Sequence, residues 1–137
     1  MYKRQAEKNG VKYYNDSKGT NPDAAIKAVC AMPSPTILIG GGYDKKSSYD
    51  EWVATFEGRV KELLLIGKTK HDIAAACDRA GFKAYKFVDT LEEAVSIAAA
   101  DAESGDCVLL SPACASWDMF KCYQQRGEIF KDCVRAL

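Results

Sequence analysis

Lys18, Lys45, Thr20 and Ser116 stand in three short polar segments, and together they suit the capture of a small anion. The segments are Asn15-Asp16-Ser17-Lys18-Gly19-Thr20-Asn21, Gly40-Gly41-Gly42-Tyr43-Asp44-Lys45-Lys46-Ser47 and Ser111-Pro112-Ala113-Cys114-Ala115-Ser116-Trp117-Asp118. Lys18 and Lys45 supply positive charge, and Thr20 and Ser116 supply hydroxyl donors. Each segment leads into a stretch that reads as a helix, whose first N–H groups lack partners and whose dipole favours negative charge. A carboxylate or a phosphate fits such a site. Each residue also has a plainer reading. Asn21 and Ser116 suit helix caps, Lys45 and Lys46 suit solvated loop charges, and three consecutive glycines suit a turn.

Other chemistries find less support. Neither G-x-G-x-x-G nor G-x-x-x-x-G-K-[ST] occurs, so the chain carries no nucleotide cradle of those types. The six cysteines (30, 77, 107, 114, 122 and 133) contain no C-x-x-C pair, and His71 is the sole histidine, so a Cys/His zinc site of the usual paired spacing cannot be drawn. Most of the cysteines sit among aliphatic residues and read as reduced structural thiols; no metal ligand is assigned. His71, at the start of a helix, reads as a surface residue rather than a general base. Nineteen basic residues balance nineteen acidic ones, which argues against nucleic-acid binding and against a polybasic membrane contact. No apolar run approaches the roughly 20 residues of a membrane span, and the first residues lack the apolar core of a secretory signal. A cytoplasmic location is expected.

The polar segments must be positioned by what lies between them. Val11–Tyr14 reads as a short strand. Asn21-Pro22 opens a helix with Asn21 as cap and Pro22 at the first helical position, and Pro33 and Pro35 end it. Thr36–Ile39 has the continuous apolar character of a strand buried on both faces. Ser48-Tyr49-Asp50-Glu51 reads as a capping box before a helix carrying Trp52, Val53, Phe56 and Val60. Leu63–Ile66 is a strand; Thr69 caps a helix that runs to about Arg79 and stops at Gly81. Ala84–Val88 is a strand, Thr90-Leu91-Glu92-Glu93 a second capping box, and Cys107–Leu110 the last strand. Ser116 and Asp118 open a helical region, which Gly127 separates from a final helix striped by Ile129, Phe130, Cys133, Val134 and Leu137. Strands at 36, 62, 84 and 107, each pair separated by one helix, form a βαβ series with parallel pairing and right-handed crossovers. The expected fold is a three-layer α/β/α, Rossmann-like, open and mostly parallel sheet of about five or six strands, with residues 1–137 forming a single domain. The first polar segment joins the others at the carboxyl edge if its short strand runs parallel to them.

The same segments carry a resemblance. YNDSKGTNP (Tyr14–Pro22), LIGGGYDK (Leu38–Lys45), LLSPACASWDMF (Leu109–Phe120) and YQQRG (Tyr123–Gly127) resemble, in order and spacing, the motifs of the C-terminal domain of the MurD family, the UDP-N-acetylmuramoyl-L-alanine:D-glutamate ligases. The resemblance covers nearly the whole chain. It implies an ATP-dependent, amide-forming ligase of cytoplasmic peptidoglycan synthesis. In that family ATP phosphorylates the carboxylate of UDP-N-acetylmuramoyl-L-alanine, and the amine of D-glutamate displaces the phosphate through a tetrahedral intermediate. Carried onto matching positions, Thr20, Lys45 and Ser116 would hold the D-glutamate carboxylates. Tyr123 would lie over the amino acid where related enzymes have phenylalanine, and Asp16 and Lys18 would face the nucleotide.

The family's N-terminal UDP-binding domain and central ATPase domain have no counterpart in this sequence. The resemblance therefore implies ATP and Mg2+ in the full enzyme, neither bound by this domain alone, and contact with UDP-N-acetylmuramoyl-L-alanine and ATP through the other domains. No residue here is assigned to the chemical step, and the isolated chain is expected to fold without ligating. Alternatives are another Mur ligase, a stand-alone Rossmann-like module for a small anionic metabolite, and an interaction domain whose polar loops are only caps.

Overall fold

A computed structural model of the chain describes residues 4–43, 48–116 and 119–137. Among them, six strands form one sheet in the order β1-β2-β6-β3-β4-β5. The elements along the chain are β1 (Arg4–Lys8), β2 (Val11–Asn15), α1 (Pro22–Ala31), β3 (Thr36–Gly40), α2 (Asp50–Ala54), β4 (Val60–Leu65), α3 (Lys70–Ala80), β5 (Tyr85–Phe87), α4 (Leu91–Asp101), β6 (Cys107–Leu110) and α5 (Tyr123–Arg135). β2 through β5 pair in parallel, and β1 alone is antiparallel. The expected α/β class and the parallel alignment of β2 both hold.

Alternation along each strand divides the core. Leu38, Leu63, Leu65 and Leu109 share a cluster with Ala25, Val29, Trp52, Ile73 and Cys77 from α1, α2 and α3, and with Phe56 just beyond α2. Ile37, Ile39, Leu64, Val108 and Leu110 face Leu91, Val95, Phe130 and Val134 from α4 and α5. Three layers follow. The central strands are apolar throughout because both of their faces are covered. β6 lies between β2 and β3, yet its chain leaves for α5 on one face while theirs leave for α1 and α2 on the other. Neighbouring strands that send their chains to opposite faces open a crevice at their carboxyl ends.

Several local expectations are corrected. β1 was not foreseen; Asn9 (φ 54°) and Gly10 (φ 78°) form the two-residue left-handed turn that folds it onto β2. The helix read through Val60 stops at Ala54. The chain turns at Gly58 (φ 75°), Arg59 and Val60 both donate backbone N–H bonds to the Phe56 carbonyl, and Val60 begins β4. Ser48 does not cap α2. Tyr49 is the cap residue, without a side-chain cap bond, and the Ser48 hydroxyl donates to Asp50 Oδ2 at 3.4 Å. Thr69 precedes α3 without capping it by its side chain, and Gly127 lies inside α5 rather than between helices. Ser116 accepts backbone bonds from Met119 and Phe120 in a turn, and the next helix begins at Tyr123; Asp118 lies outside the described residues.

Other signals hold. Asn21 Oδ1 accepts from the Ala24 N–H at 2.9 Å with Pro22 following, Thr90 Oγ1 accepts from the Glu93 N–H at 3.0 Å, and Gly81 ends α3 at φ 79°. All six cysteines are free; Cys77, Cys107 and Cys114 are buried, whereas Cys30 and Cys122 are exposed.

Candidate functional site

The loops after β2, β6, β3 and β4 leave the carboxyl edge side by side, in the order set by the sheet, and hydrogen bonds join each to the next. The Ala113 N–H donates to the Gly19 carbonyl at 2.9 Å, linking the loop after β6 to the loop after β2. The Gly41 N–H donates to the Pro112 carbonyl, and Tyr43 and Ala115 exchange two backbone bonds, all at 2.9 Å, linking the β6 and β3 loops. The Thr69 N–H donates to the Gly42 carbonyl at 3.0 Å, and the Gly42 N–H donates to Thr69 Oγ1 at 3.0 Å, linking the β3 and β4 loops. One continuous polar rim results.

The glycines make this packing feasible. Gly41 has φ 102°, and a Cβ there would lie 2.1 Å from the Ile66 carbonyl oxygen. Side chains are disfavoured at such a φ, and here there is also no room for one.

Asp16, Lys18 and Thr20 occupy the first loop. Asp16 Oδ2 accepts the Ser111 hydroxyl at 2.8 Å. Partial burial raises the Asp16 pKa above its ordinary value; the Ser111 bond and the charges of Lys18 and Arg126 pull the other way without cancelling it. Lys18 is exposed, and Thr20 is half-buried. Lys18, Tyr123, Asn15, Ser17, Gln124 and Gly127 line a shared open cleft of about 230 Å³. Ser116, only 2% exposed, sits next to the Tyr43–Ala115 bridge. Lys45 lies outside the described residues, two positions along the chain from Tyr43. The structure thus brings Lys18 and Tyr123 into one cleft and places Thr20 and Ser116 on neighbouring, mutually bonded loops.

Arg126 is a central residue that sequence reasoning missed. It is 1% exposed. Nε donates to the Ser17 hydroxyl at 2.9 Å, Nη2 to the Ser17 carbonyl at 2.7 Å, and Nη1 to the Cys114 carbonyl at 3.0 Å. The Ser17 hydroxyl in turn donates to the Tyr123 carbonyl at 2.6 Å. Asn15 and Ser17 therefore position the start of α5, as Asn15 Oδ1 also accepts the Ser17 N–H at 3.0 Å. A signal was present in the sequence: 126, 130 and 134 share one helical face, and an arginine aligned with Phe130 and Val134 points inward.

Exposed Lys18 and half-buried Thr20 offer a cation and a hydroxyl to an anionic ligand, with the Glu128 carboxylate also on the wall of the cleft. Among the described residues, no group of three or more His, Cys, Asp or Glu side chains is placed to hold a metal ion.

Comparison with known proteins agrees with this architecture. Residues 2–114 match the family model described as Mur ligase, glutamate ligase domain. The chain is 60% identical over 132 residues to the UDP-N-acetylmuramoylalanine--D-glutamate ligase of Lachnospira eligens, covering 96% of this chain and 29% of that protein. It is 57% identical to the enzyme of the same name from Lachnoclostridium phytofermentans, covering 95% of this chain and again 29% of the relative. The chain thus spans less than a third of the relatives it matches. Among solved structures, the fold resembles the UDP-N-acetylmuramate-alanine ligase MurC of Thermotoga maritima, with a TM-score of 0.62 at 12% identity over 93% of this chain and 27% of that one. It also resembles E. coli FolC in complex with ADP, with a TM-score of 0.61 at 17% identity over 95% of this chain and 31% of that one.

Proposed function

Because this chain belongs to the Mur ligase family, matching its glutamate ligase domain, we propose that it is the D-glutamate-holding domain of an ATP-dependent ligase. That ligase would join D-glutamate to UDP-N-acetylmuramoyl-L-alanine in the cytoplasm, as a step of peptidoglycan synthesis. The observation that supports the reading is the stitched rim, which joins the described parts of the YNDSKGTNP, LIGGGYDK and LLSPACASWDMF segments at one edge of the sheet.

In this reading residues 1–137 act as one domain. The Thr20 and Ser116 hydroxyls and the Lys45 ammonium hold the two carboxylates of D-glutamate, and Tyr123 lies over its carbon skeleton. Anchoring both carboxylates fixes the amine relative to the carbonyl it attacks and removes much of the entropic part of the barrier. Several fixed contacts are also what an enzyme needs to select one enantiomer. ATP is a second substrate and supplies the phosphoryl group that activates the other carboxylate. Exposed Lys18 fits a phosphate; Asp16, held by Ser111, faces the same ligand. The chain lacks a phosphate loop of the G-x-x-x-x-G-K-[ST] type, so γ-phosphate and Mg2+ binding are assigned to the portion of the ligase beyond this chain. The chain by itself then does not ligate.

The test is steady-state kinetics of the complete ligase carrying this domain. Lys45→Ala and Ser116→Ala are each expected to lower kcat/KM for D-glutamate, with KM for ATP changed little. An unchanged D-glutamate KM in both variants would overturn the site assignment, and amide formation by the isolated chain would overturn the division of labour.

A further inference from the structure

Thr69 sits where a helix cap belongs but does not use its side chain as one. It directly precedes α3, with φ −84° and ψ 0° in place of the extended backbone of a capping threonine, and makes no side-chain cap bond. Thr90, ahead of α4, shows the ordinary alternative: φ −135°, ψ 160° and a cap bond to the Glu93 N–H. The Thr69 hydroxyl is directed instead across the carboxyl edge. Oγ1 accepts the Gly42 N–H at 3.0 Å and lies 3.3 Å from Cys114 Sγ, in a residue only 5% exposed. The Thr69 backbone N–H donates to the Gly42 carbonyl at 3.0 Å. Both polar backbone groups of Gly42 are thus held by one residue. Gly42 has φ 151°, and its next neighbour Tyr43 makes the paired bonds to Ala115, which precedes Ser116.

We propose that Thr69 is a positioning residue for D-glutamate binding: its hydroxyl clamps Gly42 and, through the Tyr43–Ala115 pair, sets the height of the Ser116 loop. This rests on the proposed function, because it assigns Thr69 to that same site. A local rule is broken at α3, and the hydroxyl released from capping accepts the buried Gly42 amide.

The experiment compares Thr69→Val and Thr69→Ser in the complete ligase. Valine keeps the shape and removes the acceptor, leaving the Gly42 N–H unsatisfied; serine keeps the acceptor. Expected for Thr69→Val is a rise of about tenfold in KM for D-glutamate, with KM for ATP and for the UDP-linked substrate within about twofold. Thr69→Ser is expected to restore the wild-type value. Should Thr69→Val fail to accumulate folded, Thr69→Cys, with a weakly accepting thiol, is read in its place with the same expected split. A D-glutamate KM unchanged in the variant, an equal rise in all three KM values, or failure of serine to rescue would overturn the positioning role. Failure of the wild-type ligase to use D-glutamate would instead overturn the functional reading on which it rests.

Discussion

Arg126 and Ser17, 109 residues apart, are joined by two hydrogen bonds: Arg126 Nε to the Ser17 hydroxyl at 2.9 Å and Nη2 to the Ser17 carbonyl at 2.7 Å. A further bond, from Nη1 to the Cys114 carbonyl at 3.0 Å, reaches the loop after β6. One buried cation therefore ties α5 to both loops that flank the candidate site. Arg126→Met should remove these bonds and leave two carbonyls poorly satisfied, lowering stability by about 3 kcal/mol. Urea unfolding of the chain checks this. A midpoint equal to wild type would mean that the junction contributes nothing.

Gly127 opposes two effects of known sign. Alanine is favoured over glycine inside a helix by about 1 kcal/mol. A Cβ at Gly127, however, would lie 2.8 Å from Asn15 Nδ2 and 3.3 Å from Ser17 Cβ. Asn15 is not free to yield, since its Oδ1 holds the Ser17 N–H. The contact should win, and Gly127→Ala should melt below wild type despite its better helix propensity. A higher melting temperature would show that α5 can shift outward without loss.

Asp16 gives a pH-dependent expectation. Burial, the largest cause, raises its folded pKa above the ordinary carboxylate value. A raised carboxyl favours the protonated folded form, so its contribution to stability is present below the unfolded pKa and lost as pH rises through the folded one. Asp16→Asn removes the charge and keeps a group that can accept the Ser111 hydroxyl. Thermal melts should show this variant more stable than wild type at pH 7, with the gap narrowing as pH falls towards 4. A variant less stable at pH 7 would mean that attraction to Lys18 and Arg126 outweighs burial. Any such gain is expected to accompany weaker catalysis in the complete ligase, as is common where a strained group serves a site.

The cysteines should separate by burial. Burial, with a smaller effect from Asp78, pushes the Cys77 thiol up to about 11, so almost none is thiolate at pH 7.5. Cys107 and Cys114 are also buried, whereas Cys30 and Cys122 are exposed. Iodoacetamide followed by peptide mass mapping should label Cys30 and Cys122 in the native chain, and Cys77, Cys107 and Cys114 only after denaturation. Early labelling of Cys77 would show that α3 opens readily.

The amino-acid sequence by itself determined the strand–helix series, the caps at Asn21 and Thr90, the stop at Gly81 and the gathering of polar loops at strand carboxyl ends. These follow from interactions within a few residues: side-chain periodicity, backbone φ preferences and hydroxyl-to-amide reach. Asn9-Gly10, the turn between β1 and β2, is a local signal of the same kind. The tertiary structure alone decided where β6 enters the sheet, between β2 and β3, because strand order is settled by burial of whole faces between distant segments. It also decided the roles of Thr69, Gly127 and Arg126. Thr69 reads as a cap until Gly42 is beside it, and Gly127 reads as a helix boundary until Asn15 and Ser17 are packed against it. The helical period could have turned Arg126 inward, but not named Ser17 and Cys114 as its partners. Their hydrogen bonds join residues 12 to 109 positions apart, and chain distance carries no record of which donors and acceptors folding will bring into register.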